Sequence, residues 1–166
     1  MVKVKFSHLA LCSLGIIFLI AGPALWLLNG CQPLMFDTTS QTTTTVERSK
    51  TISNGSFTIN IGDYEDIPAT ITRTVNVTGN FKVSGGDVNF YILDETNFEK
   101  FEESLDFEGI IRLNDKDSGS FNLQLKPGTY HFVLHNKGLY KDKTVSFQAV
   151  QTWTETNTTT TTTRQY

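Results

Sequence analysis

From Ser56 onward, apolar side chains recur at every second position of the chain and alternate with polar ones. A period of two is typical of β-strands that bury one face, because successive side chains of a strand point to opposite sides. The positions that define these runs are Phe57, Ile59, Ile61, Ile71, Val75, Val77, Phe81, Val83, Val88, Phe90, Ile92, Phe121, Leu123, Leu125, Tyr130, Phe132, Leu134, Val145, Phe147 and Ala149. The pattern predicts an all-β, two-sheet antiparallel β-sandwich of seven or eight strands.

One segment departs from this alternation. Phe98, Phe101 and Leu105 are spaced by three and four residues, which predicts a short helix over residues 96–105. Thr96, with Glu99 three positions later, is the expected N-cap. A strand-like run is expected to follow from Leu105 onward.

A tight turn is predicted at Lys126–Thr129, between two alternating runs. Pro127 presets φ at the second position of a turn, and Gly128 tolerates positive φ at the third. We therefore expect a β-hairpin that joins the two flanking strands.

The N-terminal segment is apolar over Phe6–Leu28 and is preceded by Lys3 and Lys5. A helix of this length crosses the hydrocarbon core, and the two lysines favour an N-terminus on the inside. The sequence predicts one transmembrane helix, with the remaining chain outside the cell membrane. Two alternatives stay open: a cleaved signal peptide, or a lipobox at residues 28–31 that makes Cys31 a candidate lipidation site.

Threonine-rich tracts lie on both sides of the alternating region. They contain too few apolar residues to build a core, so we expect a stalk before the β-domain and a disordered tail after it. The predicted organisation is a membrane segment at residues 1–31, a stalk at 32–55, a β-sandwich at 56–153 and a tail at 154–166.

Charge and cysteine usage exclude two classes of function. The net charge is −3, and the lysines and arginines are scattered, whereas nucleic-acid binding needs them clustered to neutralise phosphates. No nucleic-acid partner is expected. Cys12 and Cys31 both lie in or beside the apolar segment, so the β-domain has no disulfide and no zinc–thiolate cluster.

Histidine chemistry in the β-domain is limited to His131 and His135, which lie four residues apart on one predicted strand. They share a face with Val133, opposite the apolar positions of that strand, so a surface that is solvated or covered by a sheet is expected around them. A metal or acid–base role stays open for the two rings. No serine or cysteine nucleophile stands in a recognisable motif beside either ring.

Three loops resemble ligand sites only superficially. Asp115–Gly119 has two carboxylates, but a glycine occupies the fifth position, where an EF-hand loop has an oxygen ligand. Asp63–Asp66 is expected to be a solvated acidic loop, and Gly85–Gly86 a turn without a phosphate-cradle pattern. We predict no catalytic, cofactor-binding or metal-binding residues and no enzymatic activity.

Three asparagines begin Asn-x-Ser/Thr triplets: Asn54, Asn76 and Asn157. They are candidate N-glycosylation sites if the domain lies outside the cytoplasm. Such triplets also arise by chance in a threonine-rich chain. The three triplets predict a glycoprotein.

Two stretches, Gly79–Asp94 and Phe121–Asn136, resemble the GOLD (Golgi dynamics) family. The second stretch fits the family pattern G-x-Y-x-F-x-x-x-N with Gly128, Tyr130, Phe132 and Asn136. The resemblance spans residues 55–153 and implies a non-catalytic lumenal or extracellular β-sandwich, jelly-roll or GOLD-like, that binds other proteins. The chain lacks the C-terminal helix, coiled coil and domain cysteines of the family's cargo receptors, so their cargo-receptor function is not carried over. The missing cysteines and the lipobox-like sequence indicate a membrane-anchored prokaryotic or archaeal type.

Two roles follow for the β-domain. The first is a membrane-anchored module that binds another extracytoplasmic protein at the cell surface. The alternative is a carbohydrate-binding or envelope-associated lipoprotein anchored through Cys31, because Tyr91, Tyr140 and Trp153 are candidates for stacking on sugar rings.

Overall fold

Eight β-strands and one short helix make up the part of the chain that the computed structural model describes, residues 36–165. The elements are β1 (Phe36–Ile59), β2 (Tyr64–Ile71), β3 (Val75–Ser84), β4 (Val88–Asp94), α1 (Glu95–Glu102), β5 (Ile111–Lys116), β6 (Ser118–Leu125), β7 (Gly128–His135) and β8 (Lys143–Gln165). The chain divides into two compact units. Val46–Glu155 forms one, and residues 36–45 and 156–165 are the described part of the other.

The strands form two four-stranded sheets that pack face to face. The first has the order β1-β8-β3-β6 and the second the order β2-β7-β4-β5. Successive strands mostly alternate between the sheets, and this order is that of a jelly roll built from two Greek keys. The predicted two-sheet antiparallel sandwich is therefore confirmed, with eight strands.

The turn at Lys126–Thr129 is not a hairpin, so that prediction is wrong. β6 ends at Leu125 and pairs with β3, whereas β7 begins at Gly128 and pairs with β2 and β4. The turn carries the chain from one sheet to the other. Gly128 is not among the described residues with positive φ, so the role predicted for it is wrong as well.

The core between the sheets consists of the alternating apolar side chains. Five phenylalanines form its centre, with ring centroids 5.0 to 6.1 Å apart: Phe81, Phe90, Phe121, Phe132 and Phe147. Such packing contributes about 25 cal/mol per Å² of apolar area removed from water. One predicted core position is wrong: Ile61 is 48% exposed, because β1 ends at Ile59 and Ile61 lies in the following loop.

Helix α1 covers the outer face of the second sheet and creates a smaller core there. Phe98 of the helix is buried against Tyr91, Leu93 and Val133 of the sheet, and Phe101 packs at their edge. This cover explains why β4 is buried at six consecutive positions, Val88–Leu93, rather than at every second one. One face of β4 meets the inter-sheet core. On the other face Tyr91 and Leu93 meet the helix, and Asn89 accepts a hydrogen bond from the Asp115 amide.

The predicted helix is confirmed in place but not in its boundaries. It spans Glu95–Glu102, and its N-cap is Asp94, whose side chain accepts a hydrogen bond from the Asn97 amide at 2.9 Å. Thr96 is therefore not the cap. The strand expected from Leu105 begins only at Ile111, after an irregular segment.

The threonine-rich tracts differ from the expectation of a stalk and a disordered tail. Residues 36–55 belong to β1, and residues 154–165 belong to β8. In the unit formed by residues 36–45 and 156–165, exposed side chains bond across the two strands, and Gln41 Nε2 lies 3.5 Å from Thr160 Oγ1. Threonine favours extended backbone, and pairing between the tracts supplies the hydrogen bonds that neither tract makes alone.

The predicted membrane segment at residues 1–31, together with Cys31, lies outside the described residues. Between residues 36 and 165, no helix is long and apolar enough to cross a membrane.

Candidate functional site

The two histidines lie on the face of β7 that α1 covers. The shared face predicted for His131, Val133 and His135 is confirmed, since Val133 belongs to the small core beneath the helix and not to the inter-sheet core. The ring of Phe98 stacks on His131 with centroids 3.8 Å apart and planes 2° apart. The surface is thus covered by a helix rather than by solvent.

His131 joins the second sheet to helix α1 through two carboxylates. Its Nδ1 lies 3.0 and 3.1 Å from the oxygens of Asp66 on β2, and its Nε2 lies 3.2 Å from Glu95 Oε2 on α1. The ring therefore bridges one carboxyl group on the sheet and one on the helix.

This arrangement corrects the prediction of a solvated acidic loop at Asp63–Asp66. Tyr64 and Asp66 lie in β2, and the Asp66 side chain is 23% exposed in its contact with His131. Burial raises the pKa of Asp66, while the contact with His131 acts in the opposite direction. Asp66 thus links β2 to His131 on β7.

His135 lies on the same face but has a different environment. Its ring meets Tyr64 and Phe101 edge to face, with centroids 6.4 and 5.5 Å away, and its buried Nδ1 has no hydrogen-bond partner among the described residues. Burial lowers the pKa of His135, and the charge of Lys137 lowers it further. Both effects favour the neutral form of His135 over the charged form.

Acidification is expected to destabilise the protein through His135. Because its pKa is lowered in the folded state, its stabilising contribution is present above the unfolded value of 6.5 and is lost as pH falls through the folded value. The raised pKa of Asp66 has the opposite effect on the pH dependence of stability, since the stabilising contribution of Asp66 is lost as pH rises. His135→Phe is expected to reduce the loss of stability between about pH 8 and about pH 5.

Urea unfolding of the wild type and His135→Phe across this pH range measures the effect, and the difference between the two curves removes the part due to Asp66. At neutral pH the variant is expected to be as stable as the wild type or up to about 1 kcal/mol more stable, because an unpaired buried nitrogen is removed. If the free energies of unfolding of the two proteins change with pH in parallel, the acid sensitivity does not come from His135.

A second cluster lies at one end of the sandwich and is named here the loop tip, residues 60–63 and 136–142. The fully buried carboxamide of Asn136 ties its two loops together. Its Nδ2 lies 3.1 Å from three carbonyl oxygens, those of Ile59, Asn60 and Lys141. Its Oδ1 accepts a hydrogen bond from the Gly138 amide at 3.1 Å.

Backbone hydrogen bonds complete the connection between the two loops. The Gly62 amide donates to the Asn136 carbonyl and the Asn136 amide donates to the Asp63 carbonyl, both at 2.9 Å. The Ile61 amide donates to Asp142 Oδ1 at 3.2 Å. Fixed in this way, the loop tip presents its side chains from an ordered backbone.

The loop tip exposes large apolar side chains. Leu139 is 77% exposed and Tyr140 is 91% exposed. Ile61, in the other loop of the tip, is 48% exposed. Lys137 and Lys141 lie on either side of Leu139 and Tyr140, and both lysines are exposed. The sequence analysis missed Leu139, although two large apolar residues in the polar loop 136–142 were a visible signal.

The three aromatic residues proposed for sugar stacking have different surroundings. Tyr91 is 2% exposed in the core beneath α1, so it is excluded. Trp153 is half-buried, with Arg73 Cζ 5.2 Å from its ring centroid and its Nε1 donating to Glu155. Tyr140 alone of the three presents an open ring face.

The loop predicted at Asp115–Gly119 is mostly strand, since β5 runs to Lys116 and β6 begins at Ser118, and the connection at Asp117 joins the two sheets. Asp115 has φ of 53°, and its amide donates to Asn89 Oδ1 at 2.8 Å, while the Asp117 carbonyl accepts from the Val83 amide. Between residues 36 and 165, no group of three or more histidine, cysteine, aspartate and glutamate residues is arranged to hold a metal ion. The turn predicted at residues 85–86 is confirmed, with positive φ at both glycines.

A depression of about 100 Å³ lies beside this loop and is lined in part by Asp87, Asn89, Asp115 and Lys137. The buried Lys143 also lines it and contacts both the carbonyl and the carboxylate of Asp87. The lysine charge is therefore neutralised within the fold.

The three candidate glycosylation sites, Asn54, Asn76 and Asn157, are all exposed strand residues. Asn76 lies on β3 opposite Gln124 and Thr152. Glycosylation of these residues stays a prediction, as does lipidation of Cys31.

Comparison with protein-family models finds no match, and comparison with curated proteins finds none. Among solved structures, the pre-peptidase C-terminal domain of collagenase from Bacillus anthracis is similar at 12% identity and a TM-score of 0.38, covering 61% of this chain and 89% of that one. PliG from Aeromonas hydrophila, a periplasmic inhibitor of g-type lysozyme, is similar at 14% identity and a TM-score of 0.33, covering 67% and 86%. Neither is described as a GOLD domain, and likenesses this distant carry no argument about this chain.

Proposed function

We propose that this chain is a non-catalytic, membrane-anchored module that binds a protein partner outside the cytoplasm through its loop tip. The observation that carries the proposal is the exposure of Leu139 and Tyr140, 77% and 91%, on a loop held by a fully buried asparagine. Aromatic and aliphatic anchors on an ordered loop bind with little loss of conformational entropy. Apolar residues exposed together in this way are typical of interaction sites.

The topology of the unit Val46–Glu155 leaves the loop tip accessible. β1 runs toward the tip and β8 runs away from it, so both chain connections of the unit leave from the end remote from the tip. At about 3.3 Å per residue, the stretch of β1 from Val46 to Ile59 separates them from the tip by roughly 40 Å.

The side chains of the tip indicate the chemistry of the partner surface. Leu139 and Tyr140 fit an apolar pocket, and the flanking Lys137 and Lys141 fit an acidic rim around it. The absence of enzymatic activity is supported by the structural use of His131, whose two nitrogens both face carboxylates in a helix–sheet contact.

The anchor is proposed from the apolar segment Phe6–Leu28, which favours a single span with the N-terminus inside. A lipid on Cys31 would anchor the same module in the alternative case. The resemblance to the GOLD family agrees with a non-catalytic binding role and remains part of the proposal.

Site-specific photo-crosslinking in intact membranes tests the proposal. A photoreactive phenylalanine analogue at Tyr140 is expected to capture a specific protein. The same analogue at Leu105, which is 55% exposed outside the tip, is expected not to capture it. Failure of the Tyr140 position to capture any specific partner, in protein shown to be folded, would contradict the proposal.

Removing the two anchors should weaken binding of the captured partner. Leu139→Ala with Tyr140→Ala is expected to reduce affinity by about 2–4 kcal/mol, or roughly 30-fold to 1000-fold, because buried aromatic and aliphatic anchors dominate interface energetics. The matched control, Leu105→Ala with Ile110→Ala, removes two exposed apolar residues outside the tip and should leave affinity unchanged. An equal loss of affinity in both double variants would show that the tip is not the specific binding site for the partner.

A carbohydrate ligand is the second candidate, because the open ring of Tyr140 is suited to stacking on a sugar. A glycan array distinguishes the two roles. Glycan binding that disappears with Tyr140→Ala but survives Leu139→Ala would favour the sugar, since an apolar protein pocket would use both residues.

A further inference from the structure

Strand β7 ends at a buried nitrogen that makes no hydrogen bond. Nδ1 of His135 has no partner among the residues between 36 and 165. The register partners of His135 are Tyr64 on β2 and Asn89 on β4, and both use their polar side-chain atoms elsewhere. The Tyr64 hydroxyl donates to Glu102 on α1, and Asn89 Oδ1 accepts from the Asp115 amide. The nitrogen is thus enclosed without an acceptor.

The position of His135 connects its ring to the loop tip. Tyr64↔His135 is the last pair of the β2–β7 ladder, and the hydrogen bonds of the tip begin at the next residue of each strand. There the Asn136 amide donates to the Asp63 carbonyl, and the Gly62 amide donates to the Asn136 carbonyl. A displacement of His135 therefore moves Asn136, whose carboxamide holds the two loops together.

Protonation of the ring is incompatible with this enclosure. A neutral imidazole has one nitrogen without a hydrogen, and that nitrogen can stay unpaired at a small cost. The imidazolium donates from both nitrogens, and a buried charged donor without an acceptor is far more costly. The rings of Tyr64 and Phe101 that meet His135 edge to face supply none. The charged ring must therefore move toward water.

The charged groups around His135 favour its neutral form at neutral pH. Burial lowers the pKa of His135, Lys137 lowers it further, and Asp63 acts in the opposite direction. Glu102 of α1 is bonded to Tyr64, and Asn89 of β4 carries no charge. Because the pKa of His135 is lowered in the folded state, the contribution of its neutral form is present above the unfolded value of 6.5. That contribution is lost as pH falls through the folded value.

We propose that His135 is an acid-sensitive switch of the loop tip: protonation of its ring separates the last pair of β2 and β7 and opens the tip. The opening is local, because Phe132 and Leu134 hold the other face of β7 in the inter-sheet core. This regulation rests on the proposed function, since an open tip no longer presents Leu139 and Tyr140 from a fixed backbone. The partner is then bound at neutral pH and released in acid.

Hydrogen-exchange mass spectrometry of the detergent-solubilised full chain tests the switch without a partner. After correction for the intrinsic rate, residues 60–63 and 136–142 are expected to exchange faster at pH 5 than at pH 7.5 by on the order of tenfold. The unfolded pKa of 6.5 sets a limit of roughly 30-fold on this change. The interior strand β3 is the internal reference, and its exchange should not change in this way.

Two variants separate His135 from other titrating groups. His135→Phe keeps an aromatic ring that cannot be protonated, and its tip should exchange at the same corrected rate at both pH values. His135→Gln is polar and uncharged and should also remove the pH response, so the test does not depend on the folding of one variant. An unchanged tip in the wild type, or an acceleration that persists in either folded variant, would overturn the proposal. Equal acceleration in β3 would overturn it as well, because the opening would then be global.

Binding of the partner captured through Tyr140 separates the switch from the proposed function. The affinity of the wild type is expected to fall by on the order of tenfold between pH 7.5 and pH 5, and that of His135→Phe to stay unchanged. If no partner is captured, the proposed function fails, while the exchange measurement still decides the switch. If a partner binds equally well at both pH values, the switch fails and the proposed function stands.

Discussion

Asn136→Asp is expected to destabilise the protein by about 3–5 kcal/mol at neutral pH, enough to lower the unfolding temperature by more than about 10 °C. The side chain is 0% exposed, and its Nδ2 faces the carbonyl oxygens of three residues, Ile59, Asn60 and Lys141. A carboxylate in this position turns three favourable contacts into three repulsions and buries a charge without a partner. The two loops of the tip would then separate.

Calorimetry or near-ultraviolet circular dichroism measures the loss. Asn80→Asp is the matched control, because Asn80 is exposed on β3 and the same chemical change should cost less than about 0.5 kcal/mol there. Asn136→Ala, which deletes the bonds without adding a charge, is expected to cost about 2–3 kcal/mol. If Asn136→Asp stays within about 1 kcal/mol of the Asn80→Asp control, Asn136 is not the link that holds the tip.

The consequence for function follows from the same contacts. Leu139 and Tyr140 lie three and four residues after Asn136, in the loop that its carboxamide fixes. An asparagine in the motif that resembles the GOLD family thus supports the two side chains proposed to bind the partner. The motif identified the residue, but only the structure gives its role.

The strand positions were predictable, and the pairing of the strands was not. Alternation identifies which face of a strand is buried, because burial repeats every two residues whichever sheet the strand joins. The turn at Lys126–Thr129 illustrates the limit: a sharp reversal looks the same in sequence whether it forms a hairpin or crosses between sheets. In a jelly roll most consecutive strands lie in different sheets, so local turn signals misidentify the neighbours.

The candidate site depended on long-range contacts that composition does not reveal. Asp66 lies 65 residues before His131 along the chain, and Glu95 lies 36 residues before it, so their meeting required the fold. The threonine-rich tracts also depend on a long-range contact that their composition does not reveal. Each looks disordered alone, and each becomes a strand in the described chain through pairing with the other.

Gly79→Ala is expected to destabilise the fold by about 3 kcal/mol, since overpacking a core position forces its neighbours to move. Gly79 lies on β3 opposite Phe121, and a Cβ there would come within 2.2 Å of Phe121 Cζ and 2.5 Å of the Gln148 carbonyl oxygen. The ring can rotate, but the carbonyl belongs to β8, which is paired with β3 at this point. Gly55→Ala is the control in urea unfolding, because its new Cβ meets nothing nearer than 3.4 Å and should cost little. A loss at Gly79 no greater than at Gly55 would show that the sheet accommodates the methyl group and that close packing of Phe121 on Gly79 is not required.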